Sequence, residues 1–480
     1  MIHRLTLLFV LFSTVCYNQP LYFSFPFSIS DPTTGNTHPR VALVQNEPFL
    51  VWGAPTVNDN LFYTQWNGNG FNTPVQLTYN DETVMLGYAE GPVLKSHGDS
   101  VYIVYVSMGA AEHRVYMRRS TDGGQTFSDT LIVNDRSFGL SLEYANMEID
   151  ENGNPAVCFI RNEVGDVPKY VFYRSADAGL TWTTEINATP DTLSQPCECC
   201  PSSMVLENND VYLIYRNNDS NIRDFYVSVS RNGGITFDSL KRVDFSNYFA
   251  SSCPASGSSG FASSDSIISV FMTKISGQAV IRGNTLSKTT FEAGPEYYID
   301  PNCLTGGYTM NYPEIAGSGD TLAVVWQDNR AGQVKCYISA STTGMSGLSA
   351  PQMISDFSGT HHYNPHVIYK NGFFHLTWRD FSGGNIWYRK ASFDPAILSG
   401  GESANQPEFF MYPNPASDLM QLSGSGLFLV TLTDISGKVV YSDNLVLPEK
   451  INTGSFSPGV YELSISGISG KTSRKLIIQR

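Results

Sequence analysis

The chain has 480 residues, of which 41% are hydrophobic and 15% are charged, and its formal net charge is −14. This length gives room for one large domain and a small one, each able to bury a core. The acidic balance, with no basic run, excludes nucleic acid as the expected partner, because binding phosphates needs a basic face. Glycine, tyrosine and phenylalanine are abundant and short alternating runs recur, so we expect an all-β protein.

The first residues have the pattern of a secretory signal peptide. His3 and Arg4 precede an apolar stretch over residues 5–15, which is the charged-then-apolar order of such peptides. We therefore predict a signal peptide over residues 1–16. The stretch is shorter than the roughly 20 apolar residues that cross a bilayer, so we expect no transmembrane anchor.

A structural unit repeats seven times between residues 20 and 398, at intervals of 52 to 59 residues. A short strand opens each unit, at Pro39, Pro92, Asn146, Pro201, Pro254, Pro313 and Pro365. A second strand is predicted to end on an aromatic residue 13 to 17 positions later, at Trp52, Tyr105, Phe159, Tyr215, Phe271, Trp326 and Trp378. Third and fourth strands follow in most units, and a four-stranded repeat of this period predicts the blades of a β-propeller.

The seventh unit lacks a fourth strand of its own. Residues 21–30 form an apolar, alternating segment that we expect to supply it. Pairing the two ends of the domain in this way would close the ring and remove two exposed sheet edges. The alternative is six blades with one irregular unit, and the unit that starts at Cys253 is the weakest.

Three units carry the same turn between their third and fourth strands, at Ser120–Phe127, Ser175–Trp182 and Ser230–Phe237, 55 residues apart. Asp122, Asp177 and Asn232 are expected to accept hydrogen bonds from the backbone of their own turns, and Gly124, Gly179 and Gly234 to adopt positive φ. The turn resembles the Asp-box of the sialidase and BNR-repeat propellers. That resemblance implies a sialidase-type propeller over residues 20–398, with these turns structural and on the face away from the active site.

A second domain is predicted from residue 409, after a linker over residues 399–408. Its opening Tyr412–Ala416, its turn Asp434–Lys438 and its basic end at Lys475 are similar to the type A sorting domain of the Bacteroidetes type IX secretion system. The resemblance implies a small β-sandwich at 409–480 that engages this secretion machinery, and a protein that is secreted or held at the cell surface. The alternative is a β-sandwich used for adhesion.

Polar side chains cluster where first strands begin and second strands end, which in a propeller is one face around the central channel. The first-strand group comprises His38, Arg40, Glu90, Glu143, Tyr144, Tyr308, Tyr312, Glu314, His361, His362 and His366. The second-strand group comprises Arg161, Arg216, Arg223, Asp224, Asp328, Arg330, Arg379 and Asp380.

The resemblance to sialidases implies three arginines that clamp a substrate carboxylate, a tyrosine nucleophile with its glutamate, and a carboxyl general acid. Arg161, Arg216 and Arg379 are the candidates for the clamp, and Tyr312 with Glu314 for the nucleophile and its base, with Tyr308 as the alternative tyrosine. Further substrate contacts are predicted at Arg223, Asp224, Arg330 and Asp380.

Two departures count against catalysis. The Arg-Ile-Pro segment of the family is replaced by His38-Pro39-Arg40, and sialidases have six blades. The arginines are alternatively blade-locking residues paired with nearby aspartates. Two functions therefore stay open, a sialidase-like protein that cleaves or binds glycans, and a non-enzymatic binding or adhesion platform. No cofactor is expected.

A block of cysteines, Cys197, Cys199 and Cys200, precedes the fourth unit, and Cys253 stands at the same place before the fifth. Because an exported chain favours disulfides, we expect Cys199 or Cys200 to bond with Cys253 and join two blades. The alternative is a copper or zinc site completed by His361 or His362. Cys303 is a further candidate for the cluster, whereas Cys158 and Cys336 lie within strands and are expected to be buried.

Overall fold

The structure is a computed structural model that describes residues 19–479, except for 25, 30–34, 56–57, 69, 80–81, 88, 109–112, 136–139, 190–194, 356–360, 382–383, 399–408 and 468–469. The predicted signal peptide and the predicted linker lie outside the described residues. The described part is all-β, as expected, and consists of antiparallel sheets joined in chain order.

Seven sheets occupy the described residues before position 399. Two short N-terminal strands are β1 (Tyr22–Phe23) and β2 (Phe27–Ser28). Sheet 1 contains β3 (Thr37–Val44), β4 (Glu47–Ala54), β5 (Asn60–Gln65) and β6 (Val75–Gln76). Sheet 2 contains β7 (Val93–His97), β8 (Ser100–Met108), β9 (His113–Ser120) and β10 (Leu131–Ile132). Sheet 3 contains β11 (Leu140–Ile149), β12 (Pro155–Glu163), β13 (Lys169–Arg174) and β14 (Ile186–Asn187).

The remaining four sheets follow the same plan. Sheet 4 contains β15 (Ser203–Glu207), β16 (Asp210–Arg216), β17 (Phe225–Ser230) and β18 (Ser239–Arg242). Sheet 5 contains β19 (Ser258–Ala262), β20 (Ser266–Ile275), β21 (Gln278–Ser287) and β22 (Ala293–Tyr298). Sheet 6 contains β23 (Met310–Ser318), β24 (Thr321–Asp328), β25 (Lys335–Ser341) and β26 (Gln352–Met353). Sheet 7 contains β27 (His362–Lys370), β28 (Phe373–Asp380) and β29 (Ile386–Ser392), together with β1 and β2.

The first strands of the seven sheets contact one another in a closed ring. Each of β3, β7, β11, β15, β19, β23 and β27 touches the next, and β27 touches β3 again. The predicted closure by the N-terminal segment is confirmed, because β1 pairs Tyr22 with Ser392 of β29 and β2 pairs Phe27 with Tyr388. Small antiparallel sheets arranged around a common axis are the blades of a propeller.

The aromatic residues that marked the repeats form the layer of core between sheets. Trp52, Tyr105, Phe159, Tyr215, Phe271, Trp326 and Trp378 are each exposed by 1% or less. The second strands do not end on them, however. The strands continue by up to four residues, so that Arg161, Arg216 and Arg379 are strand residues of β12, β16 and β28.

The three repeated turns have the predicted geometry. Asp122 Oδ1 accepts hydrogen bonds from the backbone of Gln125 at 3.1 Å and of Thr126 at 3.0 Å. The hydrogen bond from the Thr126 hydroxyl contributes most to lowering the pKa of Asp122, and the backbone bonds add to it, so that the pKa falls to about 2. Gly234 has φ +89°, and a Cβ there would lie 2.1 Å from Phe172 of the preceding sheet. Each turn therefore closes against its neighbour and has a structural role.

The C-terminal residues form a further sheet of β30 (Phe410–Tyr412), β31 (Leu419–Asp434), β32 (Val439–Asn452), β33 (Gly459–Gly467) and β34 (Gly470–Ile478). Strand β31 is long enough to pair with β30, β32 and β33. The unit has its own buried cluster, which includes Met420, Leu432 and Leu463.

Helical structure in the described residues is limited to α1 (Cys303–Gly306), α2 (Pro395–Leu398) and a 3-10 turn at Met345–Gly347. None of the described helices is long and apolar enough to cross a membrane.

Candidate functional site

The first strands of the seven sheets enclose a central cavity of about 540 Å³. Its wall includes most of the first-strand residues predicted to converge there, namely His38, Arg40, Glu90, Tyr144, Tyr312, Glu314 and His366. The ring geometry explains the convergence, because every first strand borders the axis and every other strand lies farther out.

Four of the sheets begin their first strand with the same bulge. The pairing register shifts at Thr37/Arg40, Glu143/Asn146, Asn311/Glu314 and Tyr363/His366. Within these bulges His38, Tyr144, Tyr312 and Asn364 have φ of 49°, 56°, 52° and 52°. All four line the cavity. A left-handed backbone costs a residue with a side chain of order 1 kcal/mol, and bulges of this kind redirect side chains at functional sites.

Glu90 is the most perturbed carboxyl group at the cavity. Its side chain is 7% exposed, and Oε1 accepts a hydrogen bond from the backbone N–H of Tyr144 at 2.8 Å. Burial raises the pKa of Glu90 to about 8, although the Tyr144 bond lowers it, and the nearby charge of Glu143 raises it further. Glu90 is therefore protonated at neutral pH, beside a second carboxyl group and the Tyr144 phenol.

A second polar group lies along the wall on neighbouring first strands. Lys95 Nζ and Glu148 Oε1 form an ion pair at 2.5 Å. Burial raises the pKa of Glu314, and the charge of Arg40 opposes that shift. Burial also holds the pKa of His366 well below its usual value, and its Nδ1 accepts the backbone N–H of Val41 at 3.3 Å. Glu314 therefore lies in the cavity wall close enough to Arg40 for their charges to interact.

Arg216, a predicted clamp residue, is directed into protein. Its side chain is fully buried, and it donates to the carbonyl oxygens of Arg223 at 2.8 Å, Met272 at 2.7 Å and Ser256 at 3.3 Å. Its guanidinium also stacks 4.2 Å from the Phe225 ring. With all these partners in place, Arg216 locks sheets 4 and 5 together.

The other two clamp candidates differ from each other. Arg161 forms ion pairs with Glu163 at 3.1 Å, Glu185 at 3.3 Å and Asp166 at 3.5 Å. Neither Arg161 nor Arg216 lines the cavity.

Arg379 lies between aromatic rings, 5.3 Å from both Tyr363 and Phe381. Its Nε has no hydrogen-bond partner among the described residues. Burial lowers the pKa of Arg379, and interactions with Tyr363 and with Tyr312 of the cavity wall oppose that shift. The structure therefore does not bring the three arginines to one point. Arg379 does not line the cavity either, but its charge interacts with Tyr312 of the cavity wall.

The predicted substrate contacts are engaged elsewhere. Arg330 forms ion pairs with Asp328 at 2.6 Å and with Asp300 at 2.8 Å. Its guanidinium lies 4.3 Å from the centre of the Tyr308 ring. Tyr308, the alternative nucleophile, donates its hydroxyl to Asp300 at 2.5 Å.

Asp224 is paired with Arg242 and accepts the backbone N–H of Tyr248 at 3.0 Å. Asp380 is the buried last residue of β28, opposite His362. These residues lie on second strands or in the loops beyond them, one layer outside the cavity wall.

The cysteine block contains the expected disulfide, between Cys199 and Cys253. It joins the segments that lead into sheets 4 and 5. Cys200, the alternative partner, is a buried free thiol, as is Cys197, whose sulfur receives a hydrogen bond from Arg223 Nη1 at 2.8 Å.

The other free thiols among the described residues are Cys158, Cys303 and Cys336, all buried. The group of close sulfur atoms comprises Cys197, Cys199 and Cys200 and does not include Cys303. Because the bridge occupies Cys199, two thiols of that group remain. His361, the proposed extra ligand, lies just before β27, and its Nδ1 accepts the backbone N–H of Val334, just before β25, at 3.2 Å.

Sequence reasoning missed Lys95, Glu148 and Asn364 in the cavity wall. For Glu148 the signal was the alternation of the strand, since Asn146 and Glu148 are two positions apart and such side chains share a face.

Comparisons with known proteins agree with this architecture. A family profile described as a BNR repeat-like domain matches residues 89–324, and one described as a secretion system C-terminal sorting domain matches residues 410–479. No curated protein sequence matches the chain.

Among solved structures, an ulvan lyase of a polysaccharide lyase family has a TM-score of 0.53 at 9% identity, over 75% of this chain and 94% of the lyase. A sialidase of Trypanosoma rangeli has a TM-score of 0.41 at 10% identity, over 92% of this chain and 83% of that one. A Dyadobacter fermentans protein of unknown function has a TM-score of 0.45 at 13% identity, over 78% and 99%.

The sorting domain indicates that the protein is exported to the cell surface or secreted. The chain therefore contains a BNR repeat-like domain, matched over residues 89–324, followed by a secretion system C-terminal sorting domain, matched over residues 410–479.

Proposed function

We propose that the protein is an exported seven-bladed propeller that binds an acidic glycan at the central cavity, and that residues 409–480 form a small β-sandwich read by the type IX secretion machinery. The closed ring of seven first strands supports the blade count. The pairing of β31 with three other strands around one buried cluster supports the sandwich.

One observation carries the glycan proposal, namely the four bulged strand starts whose left-handed residues all face one polar cavity. Left-handed backbone at His38, Tyr144, Tyr312 and Asn364 places two phenols, an imidazole and an amide around a space large enough for a sugar unit. Tyrosine offers sugars both an apolar ring face and a hydroxyl group. The ulvan lyase with this fold was solved with a glucuronate-containing saccharide bound, so the fold accommodates a glycan in one protein.

The preference for an acidic sugar rests on Arg379. A buried guanidinium nitrogen without a partner among the described residues costs stability unless a ligand satisfies it, and its charge couples to Tyr312. A carboxylate is the group that best matches a guanidinium. Because Arg161 and Arg216 have other partners, Arg379 alone of the three candidates would bind the carboxylate of the sugar.

Glycoside cleavage is the second candidate, and Glu90 favours it. A carboxyl group with a pKa of about 8 is protonated at neutral pH and can donate that proton to the leaving-group oxygen. Glu143 provides a second carboxyl group beside it. An exo-sialidase is the finer form of this candidate.

The test is calorimetric titration of the full chain with sialyllactose, a glucuronate-containing oligosaccharide and neutral oligosaccharides. Tyr312→Phe and Tyr144→Phe each remove one hydrogen bond and should weaken binding about fivefold to tenfold. Tyr412→Phe, in the C-terminal sheet, is the matched control and should have no effect. Arg379→Gln should lower affinity for the acidic sugars alone.

Binding of none of these sugars, or equal affinities for wild type and the two cavity phenylalanine variants, would remove the glycan proposal. Fluorogenic glycosides, a sialic acid substrate among them, test cleavage. Turnover that Glu90→Gln abolishes while binding persists would establish Glu90 as general acid, and the exposed Glu292→Gln is its control.

A further inference from the structure

Four cysteines of this chain lie together in two oxidation states. Cys197 Sγ lies 3.5 Å from Cys199 Sγ and 3.4 Å from Cys200 Sγ, while Cys199 is bonded to Cys253. Thiol–disulfide exchange begins with attack of a thiolate on a disulfide sulfur, and Cys197 Sγ is near enough to Cys199 Sγ for that attack. The four sulfur atoms therefore form a connected set, which we name the cysteine relay.

The relay runs from the interior to the surface. Cys197 and Cys200 are fully buried, Cys199 is half-buried and Cys253 is exposed. The bridge is thus accessible at its Cys253 end, and the two free thiols are shielded behind it. A buried pair of this kind exchanges with its neighbour more readily than with small thiols in solution.

Cys197 is the activated member. The hydrogen bond between Cys197 and Cys200 lowers the pKa of Cys197 to about 6 against the opposing effect of burial, and the charges of Arg223 and Arg216 contribute. Burial keeps the pKa of Cys200 well above its usual value, with the bond to Cys197 adding to that shift. At neutral pH one thiolate therefore stands next to one protonated thiol, and the thiolate is the nucleophile.

Arg223 is the positioning residue of this thiolate. Its Nη1 donates to Cys197 Sγ at 2.8 Å and its Nε to the carbonyl oxygen of Ala250 at 3.1 Å, so the guanidinium is held from both sides. The ionisable groups that face Cys197 from the surrounding segments are Cys200, Arg216, Arg223, Glu198, Tyr144 and Tyr170.

We propose that the cysteine relay is a redox-active site, in which the buried Cys197–Cys200 dithiol reduces the Cys199–Cys253 bridge and so presents two thiols at the surface. In the first step Cys197 Sγ attacks Cys199 Sγ, the Cys199–Cys253 bond breaks, and Cys253 leaves as a thiolate that takes up a proton. In the second step the Cys200 thiol loses its proton to Cys199 and attacks Cys197, forming the Cys197–Cys200 bond and releasing Cys199.

The two steps balance within the chain. One dithiol is oxidised and one disulfide is reduced, so no external oxidant or reductant is needed. The resulting Cys199 and Cys253 thiols are positioned to exchange with a disulfide of another exported protein. This activity is separate from the glycan proposal, because no residue of the four bulges takes part in either bond exchange, although Tyr144 faces Cys197.

The experiment traps thiols in the purified full chain with an alkylating reagent in the absence of reductant. Trypsin separates residues 175–216, with three of the cysteines, from residues 243–274, which contain Cys253. Cleavage after Glu198 then separates Cys197 from Cys199 and Cys200. We expect labelled Cys253 to accumulate at pH 7.5, together with a fragment linked through Cys197.

Variants assign the steps. In Cys197→Ser, Cys253 should stay unlabelled, and in Cys200→Ser it should be labelled while Cys197 is bonded to Cys199. Cys336→Ser, a buried cysteine outside the relay, should match the wild type. Arg223→Lys keeps every thiol and should shift the pH at which labelling begins upward, which a purely structural role would not do.

Labelling of Cys253 in wild type and Cys197→Ser alike would overturn the proposal, as would its absence in every protein. Melting curves of all variants identify any that fail to fold, and Arg223→Lys then provides the deciding comparison.

Discussion

Replacing Arg216 by methionine separates the two roles considered for this residue, a blade lock and a carboxylate clamp. Methionine has a similar length but cannot donate, so the carbonyl oxygens of Arg223, Ser256 and Met272 would lose their buried donor. Each lost bond costs about 1 kcal/mol, and the stacking on Phe225 adds about 1 kcal/mol. The expected loss of unfolding free energy is therefore about 4 kcal/mol.

Urea unfolding of the full chain, followed by tryptophan fluorescence, measures this loss. Arg119→Met is the control, because Arg119 donates a single bond to the Ala178 carbonyl at 3.0 Å and its loss should cost about 1 kcal/mol. Glycan affinity of the folded Arg216→Met protein should equal that of the wild type. A stability change below about 1 kcal/mol combined with lost affinity for acidic sugars would refute the blade-lock role and restore the clamp.

Three further outcomes are expected. Gly234→Ala should destabilise the fold well beyond Gly277→Ala in thermal melting, because both have similar positive φ but only the Gly234 Cβ would meet Phe172, at 2.1 Å. Stability of the wild type should fall as pH rises from 4.5 to about 8, since folded Glu90 keeps its proton over that interval and the unfolded chain does not. Glu90→Gln should flatten that slope in urea titrations, and an unchanged slope would contradict the assignment. A chain without residues 1–29 should self-associate in size-exclusion chromatography with light scattering, because the edge of β29 loses β1 and β2, whereas a chain without residues 1–18 should stay monomeric.

The sequence was sufficient to predict the repeated sheets because each of them is specified by short local patterns. Each blade repeats a strand start, a buried aromatic residue and, in three blades, a turn whose Asp or Asn and glycine carry out their functions within eight residues. The closure by residues 21–30 was also predictable. The seventh unit lacks a fourth strand, and an alternating segment that belongs to no unit precedes the first one, so the segment can fill the missing position.

The site was predictable only in part. His38, Tyr144 and Tyr312 were found because first-strand starts must converge on the axis. Arg161 and Arg216 were assigned to the same face, but their strands continue past the aromatic residues and carry them into the layer behind the cavity wall. The extra strand residues come from pairing with the neighbouring strands, which no local pattern reports.

By itself, the sequence determined the repeat, the closing strand, the sorting domain and a bridge from the cysteine block to Cys253. The tertiary structure decided which cysteine forms that bridge and which arginines have hydrogen-bond or ion-pair partners within the protein. It also decided that Glu90 is buried away from solvent. These outcomes depend on distances between residues on different blades. A hydrogen bond to a carbonyl oxygen, or the burial that shifts a pKa, arises only once those blades have closed around a common axis.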